Sequence, residues 1–454
     1  YRLSPLQEGM LFHNLYDEQA GSYRNQLKCD LMELDLEAFN GSWQAVMANH
    51  SILRSSFYHD AFKIPVQCVH QHVEMPIEVV DLSSLQGEAQ QRAVQACEEQ
   101  DYKKGFDFSK PPLMRVTLLK LDNQRYRMLW TSHHILHDGW SIPVLMQEFL
   151  ITYEAAILSE QLPIQEEDRY EDYIRYIEKR DKEREEAYWR QYLSGVEGPT
   201  LLPFISQSAL RTKGVQNFCE QVLQFDEGVM HRLESYARSR KVTVNTVMQA
   251  VWSYLLHCYS GKKDISFGVV VSGRPEDLPN VEKRVGMYIN TLPLRMQFSG
   301  DQPVEQWLQE LQHSQFQCRQ HQYASLAEIQ RWSGVQGDLF DSIVAFQNFP
   351  VSKIISAKDW QLKVENLIGI EQSSNYPLLV RISLFQGITV EFIYKSSLIA
   401  KEYIDQIKVH FEAVLLQVLN SNAEMRLSDI ALLSVSERQQ LLEGFNATEV
   451  SYPG

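Results

Sequence analysis

The run His133-His134-Ile135-Leu136-His137-Asp138-Gly139 limits what this chain can fold into more than any other stretch of it. It sets two adjacent imidazoles, a carboxylate and a glycine between two segments of different periodicity. The preceding Arg125-Tyr126-Arg127-Met128-Leu129-Trp130-Thr131-Ser132 is rich in strand formers. After it, Ile142, Leu145, Met146, Phe149 and Tyr153 recur at helical steps of three and four, with Ser141 placed to cap the helix. The chain must turn a strand-to-helix corner here. Such a corner can present one ring to a cleft while the second ring, or Asp138, holds the turn together.

A chain of 454 residues is too long for one ordinary core, so two units of roughly 200 residues each are expected. Hydrophobic residues at 44% and aromatics at 11% supply enough material for both. The formal charge of −15, with a pI near 5.4, argues against nucleic acid or an anionic membrane as partner. Cys29, Cys68, Cys97, Cys219, Cys258 and Cys318 show no short repeated spacing. That pattern fits reduced thiols in a cytoplasmic protein rather than a disulfide framework or a zinc site. No apolar run of eighteen residues and no signal-peptide pattern occurs. Tyr1 at the start and Tyr452-Pro453-Gly454 at the end suggest a piece of something longer.

The first segment, to about Leu158, mixes helices and strands, with a helix expected over Ala38 to Asn49 and a strand near Leu53 to Tyr58. The highly charged stretch Tyr170 to Leu193 alternates its signs, as a solvated connecting helix would. Beyond it, helices are expected over Val242 to Tyr259, Pro303 to Gln322 and Lys401 to Leu419. Strands are expected over Ile265 to Ser272, Ser342 to Gln347, Leu378 to Phe385 and Ile388 to Tyr394, the last two as a hairpin turning at Gln386-Gly387. The interleaving predicts a two-domain α/β fold, with a tether from Asn420 onward.

Chemically, the corner suits acyl transfer. A histidine titrates near neutrality and can move a proton, Asp138 can fix the loop, and Gly139 lets backbone approach a substrate closely. Capping of a turn by ordinary polar residues would explain one histidine, but not a pair followed by Asp-Gly. His134, His137 and Asp138 could also be metal ligands, yet the His-Glu-x-x-His spacing of a catalytic zinc helix is absent, and no metal is expected. No Gly-x-Ser-x-Gly elbow and no activated cysteine occurs, so transfer directly between two bound substrates is expected.

His133-His134-x-x-x-Asp138-Gly139 resembles the signature of the condensation domains of nonribosomal peptide synthetases, and further motifs follow in the family's order over nearly the whole chain. Leu3-Ser4-Pro5-Leu6-Gln7-Glu8-Gly9-Met10-Leu11-Phe12-His13 resembles the opening motif, in wording that leans towards the subgroup accepting D-configured donors. His50-Ser51-Ile52-Leu53-Arg54-Ser55-Ser56-Phe57 resembles the second, with Asn49 and Ser51 standing where the family has Arg and Glu. Tyr170-Glu171-Asp172-Tyr173 and Val285-Gly286-Met287-Tyr288-Ile289-Asn290-Thr291 are similar to later motifs. His321-Gln322-Tyr323-Ala324-Ser325-Leu326 and Ser374-Asn375-Tyr376-Pro377-Leu378 are looser forms of the last two. Asn446-Ala447-Thr448 through Tyr452-Pro453 resembles the linker into an adenylation domain.

The resemblance implies two chloramphenicol-acetyltransferase-like lobes forming a V-shaped pseudo-dimer with a central tunnel. The boundaries expected are 1–175 for the lobe with the histidine motif, 176–425 for the second, and 426–454 for the linker. It implies amide formation between a donor acyl or peptidyl thioester and the α-amine of an acceptor aminoacyl thioester. Both would arrive on 4'-phosphopantetheine arms of upstream and downstream carrier domains, with no cofactor bound intrinsically. His134 would be catalytic, and the backbone amide of Gly139 an oxyanion donor. His133 would be structural, and Asp138 would pin the corner by a salt bridge to Arg54. Ser272, Gly273, Arg274, Asn290 and Gln347 are candidate tunnel contacts. Competing functions are an epimerisation domain, a heterocyclisation domain, an acyltransferase acting on free alcohols, and a non-catalytic carrier-docking platform. The adenylation-like linker weighs against the first and third, the intact histidine pair against the second, and His134 itself against the last.

Overall fold

The structure, a computed structural model, describes residues 1–16, 23–163, 166–205, 218–347, 354–368, 376–384, 387–433, 437 and 439. In the first half, α1 (Pro5–Tyr16), β1 (Arg24–Met32) and α2 (Leu36–Asn49) lead through a 3-10 turn (Ser51–Arg54) into β2 (Ser55–Tyr58). β3 (Val66–Val69), β4 (Ile77–Asp81), α3 (Gly87–Lys103), β5 (Met114–Lys120), β6 (Arg125–His133) and α4 (Ser141–Leu158) complete it. The expected strand at Leu53 begins only at Ser55, because Leu53 N–H closes the turn onto the His50 carbonyl.

The charged stretch forms two helices rather than one, α5 (Glu171–Glu178) and α6 (Lys182–Tyr192). Asp181 breaks it: its carboxylate accepts from Arg184 N at 3.0 Å and starts a new helix. The connection is not merely a solvated strut. Tyr173 and Ile174 are buried in the first core and Trp189 in the second.

The second half supplies β7 (Phe218–Phe225), α7 (Glu227–Ser239), α8 (Val244–Ser260), β8 (Asp264–Val271), β9 (Asn290–Gln297), α9 (Val304–Gln320) and α10 (Leu326–Ser333). β10 (Ser342–Phe346), β11 (Lys363–Ile368), β12 (Leu378–Leu384), β13 (Ile388–Lys395) and α11 (Lys401–Leu419) follow. β12 and β13 pair antiparallel, as expected of a hairpin, though Phe385 and Gln386 lie outside the described residues. So do Ser374, Asn375 and the linker motif at Asn446 to Pro453. The chain past Asn420 is not a loose tether at first. Leu427 and Ile430 are buried in the second core, and Tyr254 donates to the Ile430 carbonyl at 2.7 Å.

Among the described residues the two large sheets run β11-β1-β6-β5-β4 and β7-β13-β12-β10-β8-β9, and β2 pairs with β3 in a separate two-stranded sheet. The registers of the two large sheets repeat. β6 pairs antiparallel with β1 and β5, aligning His133 with Arg24 and Ser132 with Met114. β13 pairs in the same way with β7 and β12, aligning Lys395 with Phe218 and Tyr394 with Leu378. In each half a parallel strand lies next, β4 on β5 and β10 on β12. His133 N–H donates to the Leu113 carbonyl and Lys395 N–H to the Pro377 carbonyl, so Lys395 stands where the first half has His133. Ser396 and Ser397 follow it where His134 and Ile135 follow His133. The histidine corner therefore exists in one half alone.

The halves interlock. β11 comes from the second half yet adds to the free edge of β1, pairing Met32 with Lys363 and Asp30 with Glu365. Trp360 and Leu362 before it, and Leu278, Val285, Met287 and Tyr288 farther back, are buried in the first core. Helix α4 is long and apolar enough to cross a membrane by composition, but Leu145, Met146, Phe149 and Leu150 pack in that same core.

Candidate active site

β6 delivers the histidine pair with its backbone clamped on both sides: His133 N–H donates to Leu113 O at 2.9 Å and His134 N–H to Tyr23 O at 2.7 Å. The His133 ring turns inward, packs on Phe108 with ring centroids 4.8 Å apart, and accepts the Ile135 N–H at Nδ1 (3.1 Å). Burial drives its pKa down to about 3, so it is neutral. His137 is buried too, its Nε2 lying 3.0 Å from Ser132 Oγ, and burial takes it down to about 4. It faces away from the cleft.

His134 is the ring that reaches the space between the lobes. Its Nδ1 lies 2.8 Å from the His137 carbonyl oxygen. A carbonyl only accepts, so Nδ1 carries the proton and Nε2 keeps its lone pair. Burial lowers the pKa of His134, against smaller opposing effects of the His137 carbonyl and the Asp138 charge. The imidazole is thus a neutral acceptor at ordinary pH.

Asp138 is fully buried, and its partner is not Arg54. One oxygen accepts from Ser141 N (3.0 Å), Ser141 Oγ (2.8 Å) and Arg274 Nη2 (3.2 Å); the other accepts from Tyr288 N at 3.2 Å. Its own N–H donates to the Gly286 carbonyl at 3.0 Å. Arg54 points instead to the C-terminal end of α2, where Nε donates to Met47 O at 3.0 Å and Nη2 pairs with Glu167. The carbonyls at a helix C-terminus attract a cation, and Arg54 is one turn away from them. Asp138 faces the other lobe, so its cation comes from there. Ser141 does not cap α4 either; Asp138 does that work from three residues back.

The Gly286 region forms a latch over this carboxylate. Gly286 N–H donates to Ser141 Oγ at 3.1 Å, and Tyr170 OH donates to Met287 O at 2.5 Å. A Cβ at Gly286 would lie 2.3 Å from the Tyr170 ring, which explains the glycine. Arg274 completes the latch. It donates to the carbonyls of Val281 (2.5 Å) and Arg284 (2.8 Å) and lies over the Tyr288 ring at 4.3 Å.

A cavity of about 1040 Å³ between the halves is lined by His134, Gly139 and Trp140 from the corner. Ser272, Arg274, Asn290 and Gln347 line it from the second half. Gly273 does not. Its φ of +60° and a Cβ position 1.8 Å from the Tyr288 carbonyl oxygen make it a packing requirement of the latch. Asn290 lines the wall but is occupied, its amide donating to Gln322 O and Ala324 O at 2.8 Å each. It anchors the loop before α10. Among the described residues, no group of three or more histidine, cysteine, aspartate or glutamate side chains could hold a metal ion. Sequence reasoning missed Tyr23, which clamps His134, and the pair formed by Glu148 and Asp168 around His50. No local spacing signals any of these.

The family model described as "Condensation domain" matches residues 1–442. Gramicidin S synthase 2 of Brevibacillus brevis is 30% identical over 459 residues, covering all of this chain and 10% of that protein. Bacitracin synthase 3 of Bacillus licheniformis is 30% identical, again over all of this chain and 7% of its own length. The chain thus spans no more than a tenth of these curated relatives. A holo four-domain nonribosomal peptide synthetase bound to AMP and glycine superposes with a TM-score of 0.80 at 16% identity, over 96% of this chain and 34% of that one. The first condensation domain of the calcium-dependent antibiotic synthetase, in complex with a substrate analogue, gives 0.73 at 18% identity over 95% and 99%. These likenesses are of fold: a mixed α/β pair of chloramphenicol-acetyltransferase-like lobes.

Proposed function

The chain belongs to the condensation-domain family of nonribosomal peptide synthetases, and from that premise we propose that it joins two carrier-bound substrates by an amide bond. The observation that carries the reading is the hydrogen bond from His134 Nδ1 to the His137 carbonyl. It turns the Nε2 lone pair outward from a ring on the wall of a cavity shared by both halves.

The acceptor amine attacks the donor thioester carbonyl, forming the C–N bond. The tetrahedral intermediate that results bears an oxyanion and an ammonium. An α-amino group has a pKa of about 8, so part of it is already neutral before attack. His134 Nε2 orients that amine and takes the proton from the ammonium as the intermediate collapses. The C–S bond then breaks, and the departing thiolate takes up that proton. The Gly139 N–H is the proposed donor to the oxyanion, with the corner buried enough to strengthen that bond. His133, Asp138 and Arg274 hold the corner and do not touch substrate. Arg54 braces the end of α2.

The partners in this reading are an upstream donor and a downstream acceptor carrier domain, their 4'-phosphopantetheine arms entering the cavity. An adenylation domain lies adjacent, and the setting is the cytoplasm. A single-turnover assay with two loaded carriers tests it. Wild-type protein is expected to release a joined product whose amide forms without exchange of the donor α-proton. Exchange of that proton with solvent and no joined product would point to epimerisation, and neither outcome to a docking platform.

A further inference from the structure

Three carboxylates line the cavity, Glu276, Asp338 and Asp341. Asp341 is consumed by the fold: it is buried and accepts from Leu202 N at 3.1 Å. Glu276 is exposed on the loop that carries Arg274. Asp338 differs in its setting. It is exposed, and among the described residues it has no ion pair or hydrogen bond. An exposed carboxylate in a chain carrying −15 needs no account by itself. Its neighbours do. Phe340, two residues on, stacks on Tyr376 with ring centroids 5.6 Å apart and planes at 26°, and both residues line the cavity with Asp338. Burial, then Tyr23 from the first half, then the Asp338 charge push the Tyr376 phenol above its ordinary range. Tyr376 therefore stands within electrostatic reach of both Asp338 and Tyr23, the residue whose carbonyl clamps His134. Beyond the rings the wall is apolar. Alternate residues of a strand share a face, and Ile343 and Ala345 of β10 line the cavity with Leu379, the partner of Ile343 on β12. Glycine at 268 on β8 leaves room for this surface, since a Cβ there would lie 2.4 Å from Ile343 and 2.6 Å from Phe340.

We propose that one of the two substrates carries a basic side chain, whose cation is bound by Asp338 against the Tyr376 ring while its methylene stem lies on Ile343, Ala345 and Leu379. The inference rests on the amide-forming reading above and names the class of one substrate. A carboxylate balances the charge, an aromatic ring attracts a cation, and an apolar surface takes the alkyl stem that basic side chains share. Phe340, 2% exposed, fixes the Tyr376 ring rather than meeting the substrate. A neutral side chain gains nothing from Asp338, and an acidic one meets a like charge, so a single residue both selects and rejects.

The test compares carriers loaded with lysyl against norleucyl, and with arginyl against citrullyl, on the donor and acceptor sides in turn. Each pair keeps the stem and removes the charge. For wild type, kcat/KM is expected to favour the basic member on one side by about tenfold, and in Asp338→Asn by less than about twofold, the scale of one charge-assisted hydrogen bond. Asp338→Glu should restore part of the preference, and Asp338→Lys should turn it towards a glutamyl substrate. No preference in wild type on either side, or an equal preference in wild type and Asp338→Asn, overturns the proposal. Binding of Nα-acetyl-lysine amide, followed by NMR titration, separates this from failure of the amide-forming reading. Asp338-dependent binding without any joined product would sink that reading and leave the cation site standing, whereas equal binding to both proteins would remove the site.

Discussion

The proton on His134 Nδ1 is fixed by one carbonyl, and burial keeps the ring uncharged, so its acid–base behaviour should be visible in rate. The folded pKa of His134 lies below its ordinary 6.5. The amide-forming rate is expected to climb as the acceptor amine loses its proton near pH 8. A second, steeper loss should set in below 6.5 as His134 protonates. His134→Ala should show the first limb and lack the second, as read from single-turnover pH profiles. Asp138 makes a different prediction. Removing Arg274 leaves a fully buried carboxylate without its cation, at a cost of about 3–5 kcal/mol in chemical denaturation. Arg54→Ala should leave the Asp138 environment intact, since its own carboxylate partner, Glu167, is half exposed. At this scale the corner was legible because its residues are contiguous. The Asp138 partner was not, because Arg274 lies 136 residues away and no spacing rule links them.

Elements meet where α2 ends. His50 follows α2, and its ring lies between Glu148 of α4 and Asp168 ahead of α5, each at 2.9 Å. Burial alone would lower the His50 pKa, but the two carboxylates outweigh it and hold it at about 9. A histidine raised above its unfolded value of 6.5 stabilises fully below that pH and loses its contribution as pH climbs through the folded value. The denaturation midpoint should therefore drop between pH 6.5 and 9, by on the order of 3 kcal/mol in stability. His50→Gln should be less stable at pH 6 and lack that slope. Helix and strand positions were largely readable from periodicity: α11 spans Lys401–Leu419, as the pattern of apolar residues predicts. The break at Asp181 was harder to see, because a capping aspartate inside a charged run looks like any other charge.

The whole molecule depends on two crossings, the latch around Gly286 and the strand β11. Gly286→Ala places a methyl group 2.3 Å from the buried Tyr170 ring, which has no room to yield. A loss of about 1–3 kcal/mol is expected, with a lower thermal midpoint and weaker binding of either carrier. The two lobes follow from length and motif order, and the repeated sheet register bears that out. The crossing of β11 was illegible, because residues 363–368 carry no signal that they pair with the first half rather than the second. Both crossings join the two halves that share the cavity at His134.

Amide formation by His134→Ala in a single turnover with both carriers loaded tests this most directly. A loss of roughly 10²–10⁴-fold with an unchanged thermal midpoint is expected, the range for a proton-moving group in its transition state. Joined product at a rate within a factor of about three of wild type, from a variant equally well folded, would contradict the account.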